Sequence, residues 1–327
     1  MKKMMTAAAA AALLLAGTGA GAEELMGQTA GAQVVNVPVS EAAIDAISGV
    51  VYSQVFERGR NVRGLRMTIF IPRNKTKKPA VLYFPGGGFT SADHEKFVQM
   101  RLALARAGFV VAACEYRTVP NKFPALLQDA KAAVRWVRAH ADELVVDASR
   151  IGIFGDSAGG YVVQMTGATN GEKKWDAGDF LDQSSDVQAV VSIYGISDLT
   201  SIGEGIGNEK VHASPAVTEA LLLNGPAFKA FGGASVTADP EKARQASPIG
   251  HVDGSEPPFL LMHGSNDKVV SPLQSKRMYE ALKAKNTDVE YVLVRGAAHG
   301  DLPWYQPAVI SRVVRFFETR LSVNPAK

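Results

Sequence analysis

The chain reads as an α/β protein: one mostly parallel, eight-stranded sheet with helices on both faces and a possible small cap. Three observations lead there. Eight short apolar or β-branched runs are bounded by turn residues, and from the third onward they alternate with helical patterns. The residue types that carry chemistry fall just after strands, where open α/β sheets gather their sites. Composition, 46% hydrophobic and 20% charged over 327 residues, is ordinary for a globular chain, and no repeat or low-complexity linker interrupts the middle. One large domain over 23–327 is therefore expected.

The N-terminus stands apart. Lys2 and Lys3 precede an apolar run from Ala7 to Ala16, and small residues end at Ala20-Gly21-Ala22; residues 1–22 thus match the charged, apolar and cleavage regions of an export signal. The run is too short to span a bilayer, and an uncleaved anchor is the alternative. A periplasmic or secreted location follows, with no stable membrane anchor after cleavage.

The first two strands, 49–56 and 65–72, are joined by a short turn and suit an antiparallel edge. Strand 80–85 precedes a helix over 95–107, and strand 109–116 precedes a helix led by Pro124 that sets Leu126, Ala130, Ala133, Val134 and Val137 on one face. Strand 151–155 runs into a helix over 157–167. Strands 189–195, 259–264 and 289–295 complete the set, with helices over 273–284 and 307–321. Segments 169–185 and 201–248 are rich in Gly, Ser, Asn and Asp and break the alternation; they are the candidate cap, with plain surface decoration as the alternative.

Charge excludes some classes. Removing 1–22 takes two lysines and no acid from a net charge of +3, leaving +1. Binding to a phosphate backbone needs clustered cations, and the one dense run, 75–78, lies between strands as a solvated turn, so no nucleic-acid partner is expected. Cys114 is the only cysteine, which excludes an intrachain disulfide, and its apolar setting suits a small buried hydrophobe. His94, His140, His212 and His251 show no metal-ligand spacing, so neither a metal nor another cofactor is expected.

The most informative segment is Gly155-Asp156-Ser157-Ala158-Gly159-Gly160, between an apolar strand and a helix. G-x-S-x-G in that context is a nucleophile elbow: the strand turns sharply into the helix, serine sits at the apex, and the glycines leave room for the strained backbone. Serine needs a base in hydrogen-bond reach, and the base needs a third group to hold its tautomer. His299, in the loop Gly296-Ala297-Ala298-His299-Gly300 after the last strand, is the candidate base. Asp267, after strand 259–264, is the candidate acid in the order Ser, acid, His. Asp198 is its rival, equally suited to a cap or turn. His263 precedes Asp267, breaks that order and suits a structural hydrogen bond. Pro85-Gly86-Gly87-Gly88-Phe89 follows a strand, and the N–H groups of Gly87 and Gly88 are expected to join that of Ala158 as an oxyanion hole. Phe89, Tyr161 and Trp304 lie near these positions and are candidates for lining a substrate pocket.

Residues 85–89, 155–160, 263–267 and 297–300 together resemble the α/β-hydrolase superfamily, and within it bacterial carboxylesterases of the hormone-sensitive-lipase and feruloyl-esterase-like (BD-FAE) groups. The resemblance covers 49–321, including Tyr116-Arg117 and Ser247-Pro248-Ile249. It implies a serine carboxylesterase acting on short-chain or aromatic acyl esters, including acetyl or feruloyl groups on polysaccharides. Its partner would be a small-molecule or carbohydrate ester. These esterases usually place histidine before the glycines, whereas this chain has Pro85, so the loop needs another brace. A prolyl-oligopeptidase-like peptidase is a second reading, although the stretch between residue 22 and Gly49 leaves no room for a propeller. A hydrolase fold that only binds ligand is a third, and the complete Ser, Asp and His set weighs against it.

Overall fold

The computed structural model describes residues 25–57, 61–74 and 76–322; the expected signal, 1–22, lies outside them. The chain divides into two units after Ser40. In the first, residues 25–40 are exposed and form no strand or helix. The second holds one eight-stranded sheet: β1 (Ile44–Glu57), β2 (Asn61–Pro72), β3 (Lys78–Phe84), β4 (Val110–Cys114), β5 (Val146–Asp156), β6 (Ala189–Ile193), β7 (Phe259–Gly264) and β8 (Val289–Val294). Their spatial order is β1-β2-β4-β3-β5-β6-β7-β8. The β1–β2 and β2–β4 pairs are antiparallel, and every pair from β4–β3 onward is parallel, as the helical connections require.

The helices are α1 (Val98–Arg106), α2 (Ala125–Ala139), α3 (Ala158–Ala168), α4 (Glu209–His212), α5 (Thr218–Asn224), α6 (Pro240–Gln245), α7 (Leu273–Ala284) and α8 (Pro307–Arg320). Side chains alternate across a strand, so β3 sends Leu82 and Phe84 to one face and Val81 and Tyr83 to the other. The first face packs against α2, α3 and α7, and the second against α1 and α8. The expected face of α2, Leu126 through Val137, is wholly buried in the first.

Three departures have local causes. β1 starts before residue 49 because Gly49, at φ 74°, sits where the β1–β2 register shifts; a bulge carries the strand through a glycine that reads as a turn. α1 begins at Val98 rather than near residue 95 because Phe97 is left-handed and Glu95 is drawn off to Thr68 and Arg101. The run 75–78 is not simply a solvated turn. Lys78 opens β3 and is buried, with Nζ donating to the Asn74 carbonyl, while Lys77 pairs with Asp142.

Segment 169–185 begins at the end of α3 remote from Ser157 and is tied along α2 by three of that helix's cations. Lys131 donates to the Thr169 carbonyl and Ser185, Arg135 to Asp176 and the carbonyls of Ala177 and Asp179, and Arg138 to the carbonyls of Ser184 and Asp186. Segment 201–248 carries α4, α5 and α6, short helices that its loop-like composition hid.

Candidate active site

Four parallel strands and the loops beyond them bring the chemistry to one rim. β5 ends at Asp156, and Ser157 occupies the turn into α3 at φ 52°, ψ −121°, an unfavourable conformation for a residue with a side chain. Its flanking glycines are required by contact rather than by flexibility. A Cβ on Gly155 would run into the Gly159 carbonyl, and one on Gly159 into the Phe84 carbonyl at the end of β3. The elbow thus lies directly against the adjacent strand.

Ser157 Oγ is 2.8 Å from His299 Nε2, and His299 Nδ1 is 2.7 Å from Asp267 Oδ2. With Nδ1–H donating to the carboxylate, Nε2 is left to accept from the serine hydroxyl. All three expected residues are therefore brought together in the expected order. Asp198 is not among them: its Oδ1 accepts from the backbone and hydroxyl of Thr200, as a turn residue does.

Asp267 is held on every side. Oδ1 accepts from the N–H groups of Val269 and Val270, at 2.8 and 3.0 Å, and His263 Nε2 lies 3.3 Å from Oδ2. His263 is wholly buried, reaching Ser275 through Nδ1 and the Val270 carbonyl through Nε2, so it supports the acid, as its place in the sequence suggested. Burial by itself raises the Asp267 carboxyl, but hydrogen bonds from His263, His299 and Val269 outweigh it and hold the group well below the usual carboxylate range. The sign of the pH effect follows. With a depressed folded value, the stabilisation is complete above the unfolded value, about 3.9, and is lost as pH falls toward the folded one. The gap in Tm between the parent and Asp267→Asn should stay constant from pH 7 to about 5 and narrow only below about 4. Closure already at pH 6 in thermal melts would contradict it.

The histidine loop is fixed by its neighbours. Trp304 Nε1 donates to the Ala298 carbonyl at 2.8 Å, Ala298 N–H to Asp301 at 2.9 Å, and Asn266 N–H to the Ala297 carbonyl at 3.0 Å. The Tyr194 ring, at the end of β6, lies 4.6 Å from the imidazole and 4.8 Å from Trp304.

The glycine loop is braced at the peptide following Pro85. Tyr116 O–H donates to the Pro85 carbonyl at 2.6 Å, Gly86 N–H to Asp156 Oδ1 at 2.9 Å, and Lys96 Nζ to the Gly86 carbonyl at 3.2 Å. Tyr83 O–H also donates to Asp156 Oδ1, at 2.7 Å. Burial pushes the Asp156 carboxyl up, against the pull of Tyr83 and Gly86. A Cβ on Gly86 would lie 2.6 Å from Asp156 Oδ2 and 2.9 Å from Ser157 Cβ, so the loop touches the elbow. Among the described residues, no acceptor engages the N–H groups of Gly87, Gly88 or Ala158. Because the brace acts through backbone atoms of residues 85 and 86, Pro85→His should keep kcat/KM for p-nitrophenyl acetate within about tenfold, or roughly 1.4 kcal/mol. A much larger loss would mean that the proline ring itself shapes the loop.

Phe89, Tyr161 and Trp304 do not line a pocket as expected. Each is at most 1% exposed. Phe89 packs edge-on against Tyr161, Tyr161 O–H is bound to the Ala246 carbonyl, and Trp304 braces the histidine loop. Sequence reasoning missed Tyr83, Lys96, Asp156 and Tyr194 as site residues. Only Asp156 carried a signal, as the residue inside the elbow motif. Cys114 is buried, as expected, and burial pushes its thiol up.

Comparison with known proteins bears on the fold and the family. The BD-FAE family model matches residues 67–282. The chain is 30% identical over 227 residues to esterase LipC of Mycobacterium tuberculosis, covering 68% of this chain and 53% of that one. It spans about half the length of the curated relatives it matches. Among solved structures, a truncated carbohydrate esterase from gut microbiota superposes with a TM-score of 0.73 at 25% identity, covering 86% of this chain and 98% of that one. An acetyl ester-xyloside bifunctional hydrolase from Caldicellulosiruptor lactoaceticus gives 0.66 at 25% identity, covering 81% and 91%. The fold is that of an α/β-hydrolase, and the chain belongs to the BD-FAE family.

Proposed function

We propose that the protein is a serine carboxylesterase. The observation that carries this reading is the unbroken line from Ser157 Oγ through His299 to Asp267, at 2.8 and 2.7 Å. Ser157 Oγ attacks the ester carbonyl carbon while its proton passes to His299 Nε2. Asp267, ionised and held by two backbone N–H groups, keeps the proton on Nδ1 and stabilises the imidazolium. The tetrahedral oxyanion is received by the N–H groups of Gly87, Gly88 and Ala158. His299 then protonates the departing alcohol; water, deprotonated by the same nitrogen, attacks the acyl-enzyme and releases the acid.

The substrate class we assign is short-chain or aromatic acyl esters, including acetyl groups on polysaccharides. Its support is likeness to a carbohydrate esterase and to an acetyl ester-xyloside hydrolase, together with the export-signal pattern over 1–22, which also argues for a periplasmic or secreted enzyme. The test is hydrolysis of p-nitrophenyl acetate, p-nitrophenyl butyrate and acetylated xylan, alongside labelling by a fluorophosphonate. Turnover of acetyl esters with one phosphonyl adduct on Ser157 is expected. A folded protein that neither turns over esters nor takes the label would favour a ligand-binding role instead.

A further inference from the structure

Beside the glycine loop lies an apolar cavity of about 500 Å³, within the range of small-molecule sites. One wall is Val119 and Pro120, in the loop after β4. The other is Leu221 on α5 with Pro226, Phe228 and Phe231 beyond it, and no lining side chain carries a charge or a hydrogen-bonding group. The cavity is tied to the proposed oxyanion loop: Val119 N–H donates to the Phe89 carbonyl at 2.8 Å, one residue past Gly88, and Thr118 Oγ1 to the Thr90 carbonyl at 3.3 Å. Phe123 N–H donates to the Leu222 carbonyl at 2.9 Å and joins the two walls. Phe228 and Phe231 face each other across a tight turn, ring centres 5.6 Å apart, and are 61% and 56% exposed. Their rings are therefore lip rather than core.

We propose that this cavity receives an apolar ring or branched alkyl group carried by the ester, and that Phe228 and Phe231 grip that group at the mouth. The inference rests on the esterase reading. A sugar would find no side-chain partner here, and its hydroxyls would lose their water without replacement. An apolar group gains by leaving water, and the Val119 wall that would hold it is bonded to the residue after Gly88. Segment 201–248 then acts as a specificity wall through residues 216–231.

The group can belong to the acyl or the alcohol part, and two arms separate these sources. One compares p-nitrophenyl 3-phenylpropionate with p-nitrophenyl acetate, the other 1-naphthyl acetate with ethyl acetate. The variants are Ala216→Phe, at a further lining residue, which fills the cavity, and the pair Phe228→Ala with Phe231→Ala, which strips the lip. In the arm the cavity serves, the bulky-to-small ratio of kcat/KM should fall at least about tenfold in both variants through KM, with the small ester within about twofold. Ratios unchanged in both arms would overturn the proposal. Fluorescence binding of uncharged N-phenyl-1-naphthylamine tests the site independently of turnover. Its Kd should rise at least about fivefold in Ala216→Phe, which takes up the space, and in the stripped variant, which removes contact area. Probe binding equal in all three proteins, with esters still hydrolysed, sinks the cavity proposal and leaves the esterase reading intact. A parent inactive on every ester, whose probe binding still responds to the variants, sinks the esterase reading and keeps the cavity as an apolar site.

Discussion

Ser157→Ala and His299→Ala should each lower kcat for p-nitrophenyl acetate at least about 10⁴-fold, or about 5 kcal/mol of transition-state stabilisation, with KM little changed. The first removes the only atom that can form the acyl-enzyme. The second removes the base 2.8 Å away without touching the backbone that holds the elbow. The two changes act on one device, so the double variant should be scarcely slower than either single one. Asp267→Asn should cost about 10²–10⁴-fold, because an amide in that place favours the wrong tautomer of His299. Asp198→Asn should stay within about twofold, since its carboxylate hydrogen-bonds Thr200 and none of Ser157, His299 and Asp267. Steady-state kinetics with the parent and these five variants decides the matter. Single losses that multiply in the double variant would mean that the serine and histidine serve separate steps, and a large loss at Asp198 would mean that the acid has been misassigned.

The second large effect is expected at Asp156, which meets neither substrate nor nucleophile in the proposed scheme. Asp156→Ala removes the buried acceptor shared by Gly86 N–H and Tyr83 O–H, and an orphaned buried donor costs about 1–3 kcal/mol. Part of that cost is relieved by movement of the glycine loop. A displaced oxyanion donor is worth about 10²–10³ in kcat, so turnover should fall about 10²-fold with KM nearly constant. Asp156→Asn keeps a carbonyl oxygen for the same two donors and should remain within about tenfold of the parent. That split between alanine and asparagine separates positioning from general destabilisation, provided thermal melts show both variants folded. An alanine variant with undiminished kcat would mean that Tyr116 and Lys96 suffice to hold the loop.

Strands and the larger helices were legible in the sequence because each carries a plain apolar signal: an unbroken run from Ala80 to Phe84 in β3, bounded by turn residues, and the i, i+4 stripe from Leu126 to Ala130 in α2. The Ser, acid and His positions were legible because each sits on a short loop directly after a strand. What stayed hidden depends on tertiary contact. α4, α5 and α6 are too short for a stripe to stand out, and α2 holds segment 169–185 through cations that read as an exposed face. Phe89, Tyr161 and Trp304 were rightly placed near the site, yet nothing in spacing distinguishes an aromatic that faces a ligand from one that supports a loop from behind. Tyr116 illustrates the same limit, since only the folded sheet brings its hydroxyl to the Pro85 carbonyl, 31 positions away in the chain.

The elbow's backbone bears on how such a protein responds to engineering. At φ 52°, ψ −121° serine occupies a region that glycine enters freely and other residues enter at a cost of about 1–3 kcal/mol. Thermal resistance would thus reward glycine at the apex, and activity alone keeps serine there. A library ranked only by melting temperature should therefore enrich for proteins that have discarded their nucleophile.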